Sequence, residues 1–205
     1  MYKKYRILIH LIILSPILMA FQCDDDQGDI LEFNDYSVKV TSKSSFSLTE
    51  IIWIEGQISS KAYNLSTNDS IFIENNNGNV ISVFKFITPT EHFNSKDAID
   101  QFEIIYDIGT ANFLPSCENA QMTISTELDN NKLFYRYRIG LKPKFKGDYI
   151  ISFFDSKLRN QNKNISIPNN YPIVRHPNQI GFDRCGLGSW LDIDQSKNEY
   201  FFTVE

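Results

Sequence analysis

The chain has 205 residues, a formal net charge of −5 and 42% hydrophobic residues. That length suits one ordinary domain with a core that can hold itself. No basic stripe interrupts the acidic balance, which excludes nucleic acid as a partner.

Lys3, Lys4 and Arg6 precede an apolar run, residues 7–19, broken only by His10, Ser15 and Pro16. A basic start and a short apolar core are the parts of an export signal. The run is shorter than the roughly 20 residues a membrane-spanning helix needs, and Pro16 would break such a helix. Ordinary cleavage wants small residues at −1 and −3. Met19-Ala20-Phe21-Gln22-Cys23 offers little of that. The segment resembles a lipoprotein signal, in which Cys23 is lipidated and becomes the first mature residue. Asp24, Asp25, Asp26 and Asp29 follow it. They resemble the acidic cluster that sends Bacteroidota lipoproteins to the outer face of the outer membrane. The resemblance implies a signal peptide over 1–22, a lipid anchor at Cys23 and attachment to the outer membrane facing the cell exterior. The alternatives are an uncleaved anchor and a soluble periplasmic protein with a solvated acidic start. Removing a segment with three basic residues and no acid takes the net charge from −5 to −8.

Residues 23–34 read as an acidic tether, and residues 35–205 as one domain. Sixteen Phe and ten Tyr, with abundant Ile and Asn, favour strands and turns. Residues 36–41 alternate with period 2, as a half-buried strand does. Residues 51–58 are more apolar and predict a central strand. Residues 70–74 and 80–87 flank Asn75-Asn76-Asn77-Gly78-Asn79, which predicts a hairpin. Residues 101–108 place Phe102, Ile104, Tyr106 and Ile108 on one face. Residues 122–128 and 133–141 flank a second turn, Asp129-Asn130-Asn131-Lys132. In the latter strand Leu133, Tyr135, Tyr137, Ile139 and Leu141 face one way, and Arg136 and Arg138 the other. Residues 148–154 and 199–204 complete the set.

Short strands with regular turn signals predict an all-β fold, an immunoglobulin-like (Greek-key) β-sandwich. Lys146-Gly147-Asp148-Tyr149 resembles the tyrosine corner of such sandwiches; the alternative is that Tyr149 is an ordinary core aromatic. Ile151 stands where an immunoglobulin domain has its second Cys. Trp53 precedes both Cys117 and Cys185, so the fold is immunoglobulin-like at most.

Residues 155–198 form a long insertion before the last strand, with little periodicity, with Pro168, Pro172, Pro177, Gly181, Gly186 and Gly188, and with the apolar or aromatic residues Tyr171, Ile173, Val174, Phe182, Leu187 and Trp190. Its aromatic content argues against disorder, and loops of that length are functional or disordered. Cys117 and Cys185 remain once Cys23 is lipidated, and in an oxidising compartment they predict a disulfide that staples the insertion; free buried thiols are the alternative.

No phosphate loop, nucleophile elbow or HExxH motif occurs, and His92 and His176 stand far apart in sequence. No catalytic residue, metal ligand or cofactor is assigned. Asp192-Ile193-Asp194-Gln195-Ser196 opens like a calcium loop, but Lys197 replaces the turn glycine and Thr203 the bidentate acid. Asp97 with Asp100, or Asp183 with Asp192, are the carboxylate pairs to consider for glycoside hydrolysis. Tyr171 and Trp190 are the candidate ligand-binding residues, as aromatics that stack on sugar rings, with core packing as the alternative. Asp69-Ser70-Ile71 resembles a short O-glycosylation acceptor of Bacteroidota secreted proteins.

Taken with Trp53-Ile54-Glu55-Gly56 and Tyr200-Phe201-Phe202, residues 1–26 resemble the uncharacterised small secreted lipoproteins of the Bacteroidota type. The expected function is a non-enzymatic, surface-exposed binding or accessory lipoprotein, with the membrane and a glycan or protein as partners. The alternatives are a glycan-binding component of an outer-membrane uptake system and a secreted hydrolase.

Overall fold

The computed structural model describes residues 29–76, 78–154, 156–160, 166–192 and 198–205. Cys23, the signal segment and residues 193–196 of the calcium-like loop lie outside the described residues. The described chain is all-β, 56% strand and 4% helix.

The first third of the chain forms β1 (Leu31–Glu32), β2 (Tyr36–Val40), β3 (Ser45–Phe46), β4 (Ile52–Ser59), β5 (Lys61–Asn64), β6 (Asp69–Phe72) and β7 (Asn79–Phe86). Then come β8 (Ser95–Asp97), a 3-10 turn (Ile99–Gln101), β9 (Phe102–Ile108), β10 (Thr110–Phe113), β11 (Met122–Ser125) and β12 (Glu127–Leu128). The rest is β13 (Phe134–Pro143), β14 (Gly147–Phe153), β15 (Ser156–Leu158), α1 (Ser166–Asn169), β16 (Gln179–Arg184), β17 (Leu187–Asp192) and β18 (Glu199–Val204). Leu31–Glu32 falls within the stretch read as a tether and pairs with β5.

Two large sheets enclose the core. One runs β12-β13-β4-β2-β15, with β9 also on β13; the other runs β10-β11-β7-β14-β18-β3, with β8 also on β7. Period-2 alternation decides what each buries. Val38, Ile54, Tyr137, Ile139 and Leu141 point inward from the first sheet, and Ile81, Val83, Tyr149, Ile151, Tyr200 and Phe202 from the second. Tyr149 lies between Phe102 (ring centroids 5.0 Å) and Phe202 (5.5 Å). Its hydroxyl donates to the carbonyl of Phe145, 2.9 Å away.

The second sheet is buried on both faces. On its outer side Phe84, Phe86, Ile150 and Phe201 form a separate core with Ile167, Ile180 and Phe182. The last three come from residues 155–198, so the insertion is a third layer built on α1 and the β16–β17 ribbon. Its first part, β15, pairs parallel with β2 of the opposite sheet.

Two expectations are corrected. Residues 70–74 and 80–87 are not a hairpin: β6 pairs with β5 in a small β1-β5-β6 sheet, whereas β7 joins the second sheet. The asparagines between them serve the core. Asn76 donates to the Tyr36 hydroxyl (2.7 Å), and Asn79 donates to the Tyr137 hydroxyl (2.7 Å) while accepting from Ser156 Oγ (2.9 Å). Buried hydroxyls need partners, and these side chains are spent on them rather than on a tight turn. The face expected of β9 also ends early: Phe102, Ile104 and Tyr106 lie opposite Pro143, Leu141 and Ile139, Tyr106 staying 45% exposed, but a register shift at Arg138/Ile139 then sets Ile108 opposite Arg138 on the outer face. The second expected hairpin does form. Asp129 Oδ1 accepts from the amides of Leu133 (2.8 Å) and Phe134 (3.3 Å), fixing the β12–β13 turn.

Candidate functional site

The β16–β17 ribbon turns at Cys185-Gly186, both with positive φ (53° and 87°). A two-residue turn of this kind matches the strand twist, but it asks a non-glycine residue to adopt a left-handed conformation. Asp183 Oδ1 accepts from the Gly186 amide at 2.6 Å. Cys185 is disulfide-bonded to Cys117, with Cα atoms 5.9 Å apart, so the turn is tied to the loop between β10 and β11.

Alternation along the ribbon separates two faces. Ile180 and Phe182 point down into the outer core. Trp190 stands opposite Gly181, Gly188 opposite Asp183 and Asp192 opposite Gln179, all on the upper face. The two glycines let the indole lie against the backbone. A Cβ on Gly181 would come within 3.1 Å of Trp190 Nε1, and one on Gly188 within 3.2 Å of Trp190 Cη2. Phe93 stacks at the indole's edge, with centroids 6.5 Å apart and planes 26° apart. Trp190 remains 50% exposed.

Asn94 fixes Phe93 to the ribbon. Its amide donates to Gly181 O (3.0 Å) and its Oδ1 accepts from Gly181 N (2.9 Å). Its Nδ2 donates to Tyr171 O (2.7 Å) and Gln179 O (3.2 Å). Polar groups flank the indole. Gln179 donates to Asp192 (2.8 Å) at one end, and Asp183 stands at the other. Glu91 pairs with Arg175 at 3.5 Å and lies 4.0 Å from His92. The arrangement is a flat, half-exposed ring with hydrogen-bonding groups on both sides.

Tyr171 sits elsewhere. It stacks on Phe86 (4.9 Å, 19°) in the outer core, and its hydroxyl donates to Asp148 at 2.8 Å. Burial and the bond to an anionic acceptor raise its pKa to about 12. Its contacts join the insertion to the sheet, and the structure does not bring it onto the face of Trp190.

Beneath the ribbon lies a second polar cluster. Arg184 reaches down beside Phe84 and Phe182, donates to Ser82 Oγ (3.0 Å) and lies 3.8 Å from Asp97. Burial raises Asp97 to about 6 against the lowering effect of Arg184, with Asp183 adding to the rise. Burial likewise raises Glu199 to about 7. Of the candidate carboxylates, Asp183 and Asp192 share the ribbon's upper face but pair with Gly188 and Gln179 respectively. The four-residue offset between those pairings spans roughly 13 Å of strand, beyond the separations that glycoside hydrolysis uses. Asp97 interacts with Asp183 rather than with Asp100.

Phe93, Asn94, Gly181 and Gly188 were not singled out from sequence. No local pattern connects residues 90–94 with the ribbon; only the tertiary register does. Among the described residues no group of three or more His, Cys, Asp or Glu could hold a metal, and no helix is long and apolar enough to cross a membrane. Comparison with protein families, with known proteins and with solved structures finds no match to this chain.

Proposed function

We propose that this protein is a non-enzymatic, surface-exposed binding lipoprotein that takes sugar rings on the Trp190 face of its insertion. One observation carries the reading: a half-exposed indole lies flat on two glycines, beside Phe93, with Gln179, Asp192 and Asp183 in register around it. A rigid aromatic plane gives a sugar's apolar face its contact, and flanking amides and carboxylates meet its hydroxyls. The disulfide and the Asn94 clamp hold the face in place before binding, so less entropy is lost on association.

The framework reading is an immunoglobulin-like Greek-key sandwich. Its support is the order β9-β13-β4-β2 in one sheet, the order β11-β7-β14-β18-β3 in the other, the parallel β18–β3 pairing and the Tyr149–Phe145 bond. Attachment to the outer membrane through Cys23 rests on the sequence of residues 1–29. It is tested by labelled fatty acid in the full chain and in Cys23→Ala, where label should appear only in the former.

A glycan array with the wild-type protein and Trp190→Ala tests the binding reading. Binding by the wild type and its loss by at least about tenfold in the variant, the scale of 1.4 kcal/mol, are the expected outcome. An array on which neither protein binds, or both bind alike, sinks it.

A further inference from the structure

The outer face of the first sheet, on the opposite side of the molecule from the ribbon, carries a groove of about 270 Å³. Its floor is two rows of side chains in cross-strand register. Arg136 is opposite Gln57, and Gln57 opposite Ser37; Arg138 is opposite Glu55, and Glu55 opposite Lys39. One wall is already compensated. Arg138 donates to Glu55 (3.1 Å) and Asp107 (2.6 Å) and lies over the Trp53 ring at 3.8 Å, and Arg136 pairs with Asp129 at 3.2 Å.

The other wall is not compensated. Lys39 and Arg159 line it and make no ion pair among the described residues. Arg159 is nonetheless held in position. Its amide donates to Val38 O (2.7 Å), and Asn160 beside it makes two bonds to the backbone of Val40. Its Nε donates to Ser37 Oγ, which leaves the terminal guanidinium nitrogens without a partner among the described residues. In a chain of negative net charge, these are two neighbouring cations, Arg159 held in place and Lys39 exposed, with no ion-pair partner among the described residues.

We propose that this groove binds an oligosaccharide bearing a carboxylate, of the uronic-acid type, with the carboxylate between Arg159 and Lys39. A guanidinium fork suits a planar carboxylate. Glu55, in the middle of the floor, repels the closely spaced charges of a polyanion and accepts from hydroxyl groups instead. Gln57 and Ser37 both donate and accept. A body rich in hydroxyls with one sparse acid satisfies all of these groups. Ile108 is the one aliphatic side chain in the lining, too little to anchor an acidic peptide.

The site is separate from the Trp190 face and stands or falls on its own residues. The full-length protein is titrated calorimetrically with oligogalacturonate, with its fully methyl-esterified form and with a hexaglutamate peptide. The expected result is binding of oligogalacturonate that weakens with added salt and is about tenfold weaker or more for the ester. The double variant Lys39→Gln/Arg159→Gln, both positions exposed, loses binding by a similar factor with an unchanged melting temperature. Trp190→Ala leaves it unchanged, which separates this site from the ribbon face. No binding of oligogalacturonate, equal binding of the ester, or full binding by the double variant overturns the proposal. Tighter binding of hexaglutamate overturns the sugar assignment.

Discussion

The hydroxyl of Tyr149 reaches back four residues to the carbonyl of Phe145 at 2.9 Å, while its ring is fully buried between Phe102 and Phe202. The bond fixes how β13 turns into β14. Tyr149→Phe keeps the ring and orphans one carbonyl. We expect a loss of about 1–2 kcal/mol, seen as a lower urea midpoint with an unchanged slope. A variant as stable as wild type would show that the bond does nothing for the corner.

Acidification should stabilise this protein between pH 7 and pH 5. Burial raises Asp97 from 3.8 to about 6 and Glu199 from 4.5 to about 7. The folded state therefore holds protons that the unfolded chain has released. Stability from these two groups is greatest at low pH and falls as pH rises through their folded values. Glu50, held low by Lys43, acts with the opposite sign and only below this window. Melting temperature measured across pH 5–7 should fall as pH rises, and Asp97→Asn with Glu199→Gln should flatten the curve. A wild-type curve that is flat or rises with pH contradicts the assignment.

Cutting the Cys117–Cys185 bond should destabilise the fold substantially. The two residues are 68 apart in sequence, and on the chain-entropy model closing such a loop contributes about 4 kcal/mol. Cys117→Ser/Cys185→Ser should lower the urea midpoint accordingly and speed amide exchange in the ribbon first. Peptide mapping without reductant should recover the two cysteines as one linked fragment.

Asn94→Ala should detach Phe93 from Trp190. The side chain serves Gly181 N, Tyr171 O and Gln179 O from a buried position, and its removal strands all three. A loss of about 2–4 kcal/mol is expected, together with a change in Trp190 fluorescence. An unaltered emission spectrum would mean the clamp does not govern that face.

Much of the two-sheet core was readable because its strands alternate cleanly. Tyr135, Tyr137, Ile139 and Leu141 are buried, as their spacing predicts, whereas Leu133, expected on the same face, precedes the strand and is 53% exposed. The exceptions have physical causes. The Asn-rich stretch before β7 looks like a turn until the buried hydroxyls of Tyr36 and Tyr137 are known to need donors. Ile108 keeps its period-2 position in the chain but loses its face to a bulge that pairing alone creates. β7 carried a clue to the third layer. Phe84 and Phe86 lie out of phase with Ile81 and Val83, as happens where a strand is covered on both faces. The indole's seat on Gly181 and Gly188 was not readable, since the first glycine meets it only across the ribbon.

The edges of the two large sheets bear on how copies behave when crowded. Edge strands invite pairing with a neighbour's backbone. Here β3 and β12 have two residues each, β15 three and β10 four. The seven-residue β9 is longer, but it carries the bulge against β13 and exposes Glu103 and Asp107. Short or charged borders resist strand exchange between neighbours. In a dense two-dimensional array the two large sheets would therefore not zip together edge to edge, which leaves β17 of the ribbon, six residues long, as the border open to a neighbour.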